Sequence, residues 1–214
     1  MSEPLVVVGA GGFGRETVGV IEAINASAPT PRFELLGVLD DGPTELNLSR
    51  LAALGVAHLG AIDDWLQRGV VAAYTIGIGA PGVRRSVARR FDERGLGAAT
   101  LIDPRAHIGR VGSVGEGAVI CAGAEISTNV TIGRHVHVNP NATIGHDTRV
   151  GDFVSVNPAA VLSGDVVVEE GVLIGAGAVV LQGLTLRAGS LVGAAACVVR
   201  DVPIGATVKG VPAR

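Results

Sequence analysis

From residue 102 onward, apolar side chains recur at a fixed step of six. Ile102, Ile108, Val114, Ile120, Ile126, Ile132, Val138, Ile144, Val150, Val156, Leu162, Val168, Ile174, Val180, Leu186, Val192, Val198 and Ile204 fill eighteen successive steps without an insertion. Four residues after many of them stands a small residue, as at Ala118, Ala142 and Ala178, and glycine often follows directly, as at Gly109, Gly145 and Gly175. One flat strand plus a corner takes six residues, and three such sides close a triangular coil of eighteen. The apolar residue then points inward, and the glycine or Asn next to it tolerates the backbone angles of the corner. Six coils at the strand spacing stack into a prism about 29 Å long. A sandwich or barrel would show uneven strands with turns every ~8–12 residues, which this register rejects.

The first hundred residues carry a different pattern. Residues 5–8 are a short apolar strand, followed by a glycine-rich turn and a helical stretch over residues 15–25. Residues 33–39 read as a second strand ending at Asp40 and Asp41. A helix over 62–68, a strand over 73–78, a basic amphipathic helix over 83–94 and a strand over 98–102 follow. Alternating strands and helices predict a small parallel-sheet domain. The expected fold is therefore α/β plus all-β: a Rossmann-like domain over residues 1–102, then a parallel β-helix of hexapeptide repeats over 103–214, with the boundary near Asp103 and Pro104.

Composition narrows the function. The formal charge of −3 supplies no basic field for nucleic acid or an anionic membrane, and no apolar run has the length of a membrane span. Aromatic residues make up only 3% and glycines number 32, which suits a narrow repetitive interior. Cys121 and Cys197 lie in no CxxC pair and read as small buried hydrophobes in a reducing compartment; a disulfide or a catalytic thiol is the other reading. With no signal peptide at the N-terminus, a cytoplasmic protein is expected.

Gly9, Gly11 and Gly14 fit GxGxxG between a strand and a helix, where bare backbone amides can meet a pyrophosphate. A dinucleotide, a nucleotide sugar and a ligand-free tight turn all remain open. About four strands leave no room for a second mononucleotide half, which disfavours the dinucleotide. Of the five histidines, His58 reads as a surface residue, and His107, His135 and His137 as solvated or interfacial residues without a neighbouring carboxylate. His146 differs: it follows the inward Ile144 and Gly145, faces outward and stands beside Asp147. A coil of eighteen residues stacks it beneath Gly164 and above Thr128. A general base below a backbone amide that could meet an oxyanion is an acyl-transfer arrangement.

At these residues the chain resembles the sugar acyltransferase family that includes sialic acid O-acetyltransferases and the UDP-4-amino-sugar N-acetyltransferases of the bacillosamine pathway. The matching stretches are Gly9 to Gly14, Leu39-Asp40-Asp41, Ile76-Gly77-Ile78-Gly79, Ile144-Gly145-His146-Asp147, Val150-Gly151-Asp152-Phe153 and the terminal Lys209-Gly210-Val211-Pro212-Ala213-Arg214. The resemblance implies a left-handed coil, acetyl-CoA as co-substrate, a nucleotide-sugar acceptor, no metal, and a homotrimer with active sites between subunits. It casts His146 as base, Asp147 as its orienting acid and the Gly164 amide as oxyanion donor. Asn139 would contact the sugar near the acceptor group. Gly11, Gly12, Phe13, Asp40, Asp41, Gly79 and Ala80 would hold the nucleotide, and acetyl-CoA would touch Ala176 and Ala194. Two positions depart from the pattern. Ser155 replaces a second histidine that contacts the acetyl donor, although its hydroxyl could still donate to the thioester, and Phe13 stands where some relatives carry His.

The implied reaction is acetyl transfer to an amino group, at C4 of the sugar, by direct attack without a covalent enzyme intermediate. O-acetylation of a sialic-acid-like sugar and a non-catalytic, nucleotide-sensing trimeric scaffold are the alternatives. A zinc-dependent β-helix carbonic anhydrase is a poor fit, because His135, His137 and His146 are badly spaced as ligands.

Overall fold

In a computed structural model, residues 2–214 are described. The N-terminal domain runs β1 (Glu3–Val8), α1 (Gly12–Ser27), β2 (Phe33–Leu39), α2 (Glu45–Ala53), β3 (His58–Gly60), α3 (Ile62–Gln67), β4 (Ala73–Ile76) and α4 (Pro81–Asp92). Its four strands form a parallel sheet in the order β3-β2-β1-β4. The central β1 is apolar on both faces because both are covered: Leu5, Val6, Val7 and Val8 are fully buried. The chain leaves β1 towards opposite sides of the sheet, so the turns after β1 and β4 border one crevice.

Two elements escape the hydrophobic pattern. The α2 helix buries only Leu51 and is started by Thr44, whose hydroxyl accepts from the Asn47 amide. The three-residue β3 is too short to show an alternation. Residues 98–102 are not one strand. Ala98 bridges to Tyr74 at the edge of the first sheet, whereas β5 (Leu101–Ile102) pairs with Val119 and Ile120. Leu101 and Ile102, the last two residues of the first domain as read from sequence, therefore pair within the prism.

The rest of the chain is a left-handed parallel β-helix. Two-residue strands stack into a first face of seven strands, a second of six and a third of five. Partners lie eighteen residues apart, as His137 with Ser155 and Thr143 with Val161, except at the last rung, where Leu191 pairs with Thr207. The inward residues and the small residues between them form one continuous core, from Ala118 and Ile120 to Val198.

Three expectations change. Glycines that directly follow the inward residue are not the ones with left-handed angles. They are small because the next coil passes close: a Cβ on Gly145 would lie 2.5 Å from the Ser163 carbonyl carbon, and one on Gly175 would lie 2.5 Å from the Ala194 nitrogen. The left-handed residue comes two positions later, at Asn129, Asn141, Asp147, Asp165 and Gly183 among others. Secondly, Ile102 and Ile108 are partly exposed, because the first coil has no coil beneath it. Thirdly, the register ends at Val198. Ile204 is 75% exposed, and Val202 takes the interior place, bridging to Leu186. No coil above holds the six-residue step there. The chain tightens, and its tail folds over the end with Ala213 buried in the core.

Candidate functional site

His146 projects from the edge between the second and third faces, after the strand Thr143–Ile144 and before Arg149–Val150. The main chain there is fixed by bonds between coils: Asp147 N–H donates to the Thr128 carbonyl and Asp165 N–H to the His146 carbonyl. The His146 Nδ1 lies 2.7 Å from Asp147 Oδ2. Asp147 reaches it from a left-handed backbone, φ 62°, which Asp tolerates better than most residues. Its other oxygen accepts from Asn129 Nδ2 at 2.6 Å. These contacts hold the Asp147 carboxyl below its ordinary range, through the Asn129 hydrogen bond first and His146 second. The imidazole lies against Gly164: a Cβ there would stand 2.5 Å from both Cε1 and Nε2, so only glycine leaves room for the ring. Asn129, Thr131, Arg149 and Asp165 complete a cleft of about 540 Å³ with His146 and Asp147.

The glycine turn is built for close approach. Gly9 has φ 109°, and a Cβ on it would lie 2.7 Å from Ile78 Cγ1; one on Gly14 would collide with the Gly9 carbonyl oxygen. A Cβ on Gly11 or Gly12 would meet nothing within 4 Å, and at the start of α1 their amides have no acceptor within the helix, so they are free to meet a ligand. The Ala10 N–H donates to Asp40 Oδ2 at 2.8 Å and Arg15 donates to the Ala10 carbonyl at 2.7 Å, which sets the turn in advance.

Two expected nucleotide contacts have other partners. Asp41 accepts from the Ile62 amide and pairs with Arg90 at 2.6 Å, so its carboxylate ties α3 and α4 together. The Phe13 ring points down onto the prism, its centroid 4.4 Å from that of His137. Only the Phe13 backbone remains at the turn. Gly79 and Ala80 stay exposed at the start of α4.

Beneath that turn lies the contact between the domain and the first face. Arg84 is fully buried with no carboxylate partner. It donates to the carbonyls of Ile78, Gly79, His135, Phe153 and Val154 and to Ser155 Oγ. Desolvation pushes its pKa down to about 9, so it is still a cation at neutral pH. Ser155 is buried and donates its own hydroxyl hydrogen to the Gly79 carbonyl at 2.9 Å. That bond engages the same hydroxyl hydrogen that was expected to donate to the thioester. His135 and His137 are buried as well, His135 between the rings of Tyr74 and Phe153. Burial lowers the pKa of His135 to about 4 and that of His137 well below the usual imidazole range. His107, expected to lack an acid, has Glu125 at 2.5 Å on the exposed second face.

Asn139 is nearly buried on the edge between the first and second faces, where its Nδ2 donates to the Val156 carbonyl at 3.1 Å. Ala176 and Ala194 are exposed higher on that same edge. In a triangular prism every edge faces the opposite side. The His146 edge therefore lies across the prism from the first face, on which the N-terminal domain packs. Within one chain His146, Asp147 and Gly164 come together, and so do the glycine turn, Asp40 and Gly79. The two groups do not. Reading the sequence misses Asn129 and Arg149, although the eighteen-residue coil puts Asn129 under Asp147. It also misses Arg84, which no local pattern marks.

The family described as the PglD N-terminal domain matches residues 4–91. Perosamine N-acetyltransferase from Caulobacter crescentus, solved with CoA and GDP-perosamine, is 30% identical over 99% of this chain and 95% of that one, with a TM-score of 0.85. The chain belongs to the hexapeptide-repeat sugar N-acetyltransferases. The acetyltransferase domain of PglB from Neisseria gonorrhoeae, solved with acetyl coenzyme A, is 30% identical to this family member over 100% of this chain and 99% of that one, TM-score 0.82. WeeI from Acinetobacter baumannii is 26% identical over 98% of both chains, TM-score 0.83. Comparison with curated protein sequences gives no match.

Proposed function

We propose that the protein transfers the acetyl group of acetyl-CoA to the amino group, at C4, of a nucleotide-linked amino sugar, with His146 as general base. The observation that carries this reading is the His146–Asp147 pair at 2.7 Å, seated against the side-chain-free Gly164. The amine nitrogen attacks the thioester carbonyl carbon and a tetrahedral oxyanion forms, with the Gly164 amide as its donor in this reading. His146 takes the proton that the nitrogen sheds. The carbon–sulfur bond then breaks, and the proton passes to the departing thiolate. Asp147 holds Nδ1, so Nε2 is the nitrogen that accepts. The open amides of Gly11 and Gly12 suit the diphosphate of the acceptor sugar nucleotide.

The same reading requires more than one copy of the chain, because the glycine turn and His146 lie on opposite sides of the prism. A homotrimer that sets the His146 edge of one subunit beside the domain of the next, with acetyl-CoA along Ala176 and Ala194, satisfies the geometry. Outward-facing Val161, Val179 and Cys197 on the second face, with exposed Leu181 and Val199 nearby, favour such packing. Cys121 and Cys197 are free thiols, which suits the reducing cytoplasm. Among the described residues no helix is long and apolar enough to cross a membrane. His146→Ala is expected to lower kcat by about 10³-fold in a thiol-release assay with UDP-, GDP- and dTDP-4-amino sugars. A kcat within a few-fold of the wild type refutes the base assignment.

A further inference from the structure

We infer that Asn129 is a positioning residue of the acetyl-transfer edge: from one coil below, it fixes the Asp147 carboxylate in the orientation that holds His146 by Nδ1 and leaves Nε2 free. This rests on His146 being the base.

The two residues occupy the same phase of successive coils. Asn129 has φ 58° and Asp147 φ 62°, and Asp165, one coil higher again, has φ 57°. Left-handed residues at that phase form a column along the edge, which sets the Asn129 side chain directly below that of Asp147. Their backbones are pinned: the Asn129 N–H donates to the Arg110 carbonyl at 3.1 Å, and the amides of Asp147 and Asp165 donate down the same column. What the column does is then decided by its side chains.

One coil above Asp147 stands another carboxylate, Asp165, which when ionised offers it no hydrogen-bond donor. Below stands an amide, and its Nδ2 donates to Asp147 Oδ1 at 2.6 Å while Oδ2 meets the imidazole at 2.7 Å. Both His146 and Asp147 are largely exposed, with side chains 63% and 49% accessible, so burial does not hold them. A solvated carboxylate with a single partner turns freely about χ1 and χ2. One held at both oxygens does not, and the imidazole it orients keeps one tautomer. The lowered pKa of Asp147, caused first by this amide, agrees with the geometry.

The experiment compares Asn129→Gly, Asn129→Asp and His146→Ala in the intact protein. Glycine takes a left-handed backbone without strain, so the coil should keep its melting temperature. Asn129→Gly is expected to lower kcat about tenfold, with both KM values within about twofold of the wild type. Asn129→Asp keeps the backbone preference but sets a second carboxylate against Asp147. The added negative charge favours the imidazolium, which cannot accept a proton, so the acid limb of the kcat/KM profile moves up by about half a pH unit or more. An unchanged kcat in Asn129→Gly together with an unmoved acid limb in Asn129→Asp overturns the role of Asn129, and if His146→Ala is still inactive the base assignment survives. Activity retained in His146→Ala overturns both.

Discussion

His137 and His146 are nine residues apart on one coil, and their surroundings are opposite. His137 lies under the N-terminal domain against Phe13, where its ring nitrogens meet no side-chain partner and at most the Ile76 backbone. Its proton affinity is suppressed by burial. His146 stands in solvent on the far edge, held by one carboxylate and backed by a glycine. The same side chain is thus a neutral filler in one place and a candidate proton acceptor in the other. A buried neutral imidazole fills space at the cost of desolvating its nitrogens, and it loses its chemistry. An exposed one with a fixed acid keeps the chemistry and contributes little to stability.

This contrast can be broken experimentally from either side. His146→Ala, with its thousandfold loss of turnover, should leave the unfolding midpoint where it is. Arg84→Ala should do the reverse in kind. Six acceptor atoms share that buried guanidinium, and removing it leaves buried carbonyls without donors. A loss of about 3 kcal/mol is expected in chemical denaturation. Arg84→Lys should not restore it, since one ammonium cannot reach both the Gly79 turn and the prism. A midpoint unchanged in Arg84→Ala would mean that the domain and prism are held together elsewhere.

A smaller effect comes from pH. Imidazoles titrate near 6.5 in the unfolded chain, but His135 binds a proton only near 4 when folded. Its folded pKa is depressed, so the unfolded chain takes up the proton first as pH falls. Stability is full above about pH 6.5 and declines towards pH 4, with about 2 kcal/mol lost by pH 5 from His135 alone. His137 adds a loss of the same sign. Denaturation at pH 7.5 and pH 5 measures it, and a flat profile would contradict the buried neutral state of these rings.

The two regions also differed in how much the sequence revealed. His146, Asp147 and Gly164 could be placed together because the eighteen-residue coil carries its register without error from one rung to the next. Asn129 was within reach of the same count. The junction was not legible. Arg84 meets Phe153 and Ser155 some seventy residues away, across two domains whose docking no periodicity encodes. For that reason nothing in the sequence signals that packing engages the Ser155 hydroxyl, the Phe13 ring and the Asp41 carboxylate. The α2 helix escaped notice because a helix that buries one leucine hardly differs from a polar loop. At the far end of the prism the count ran one step too long, since a ladder with no coil above it imposes no register on Ile204.

The central claim is that the acceptor sugar held by the domain of one chain meets His146 of another, and mixing subunits tests it directly. Gly12→Asp places a carboxylate among the open amides of the turn, where it favours the helix start but repels a diphosphate. His146→Ala and Gly12→Asp should each be inactive alone. Unfolded together and refolded as mixed oligomers, they should recover about a quarter of wild-type turnover, because random assortment pairs an intact turn with an intact histidine at that share of the interfaces. Mixed oligomers that form but stay inactive would contradict the claim.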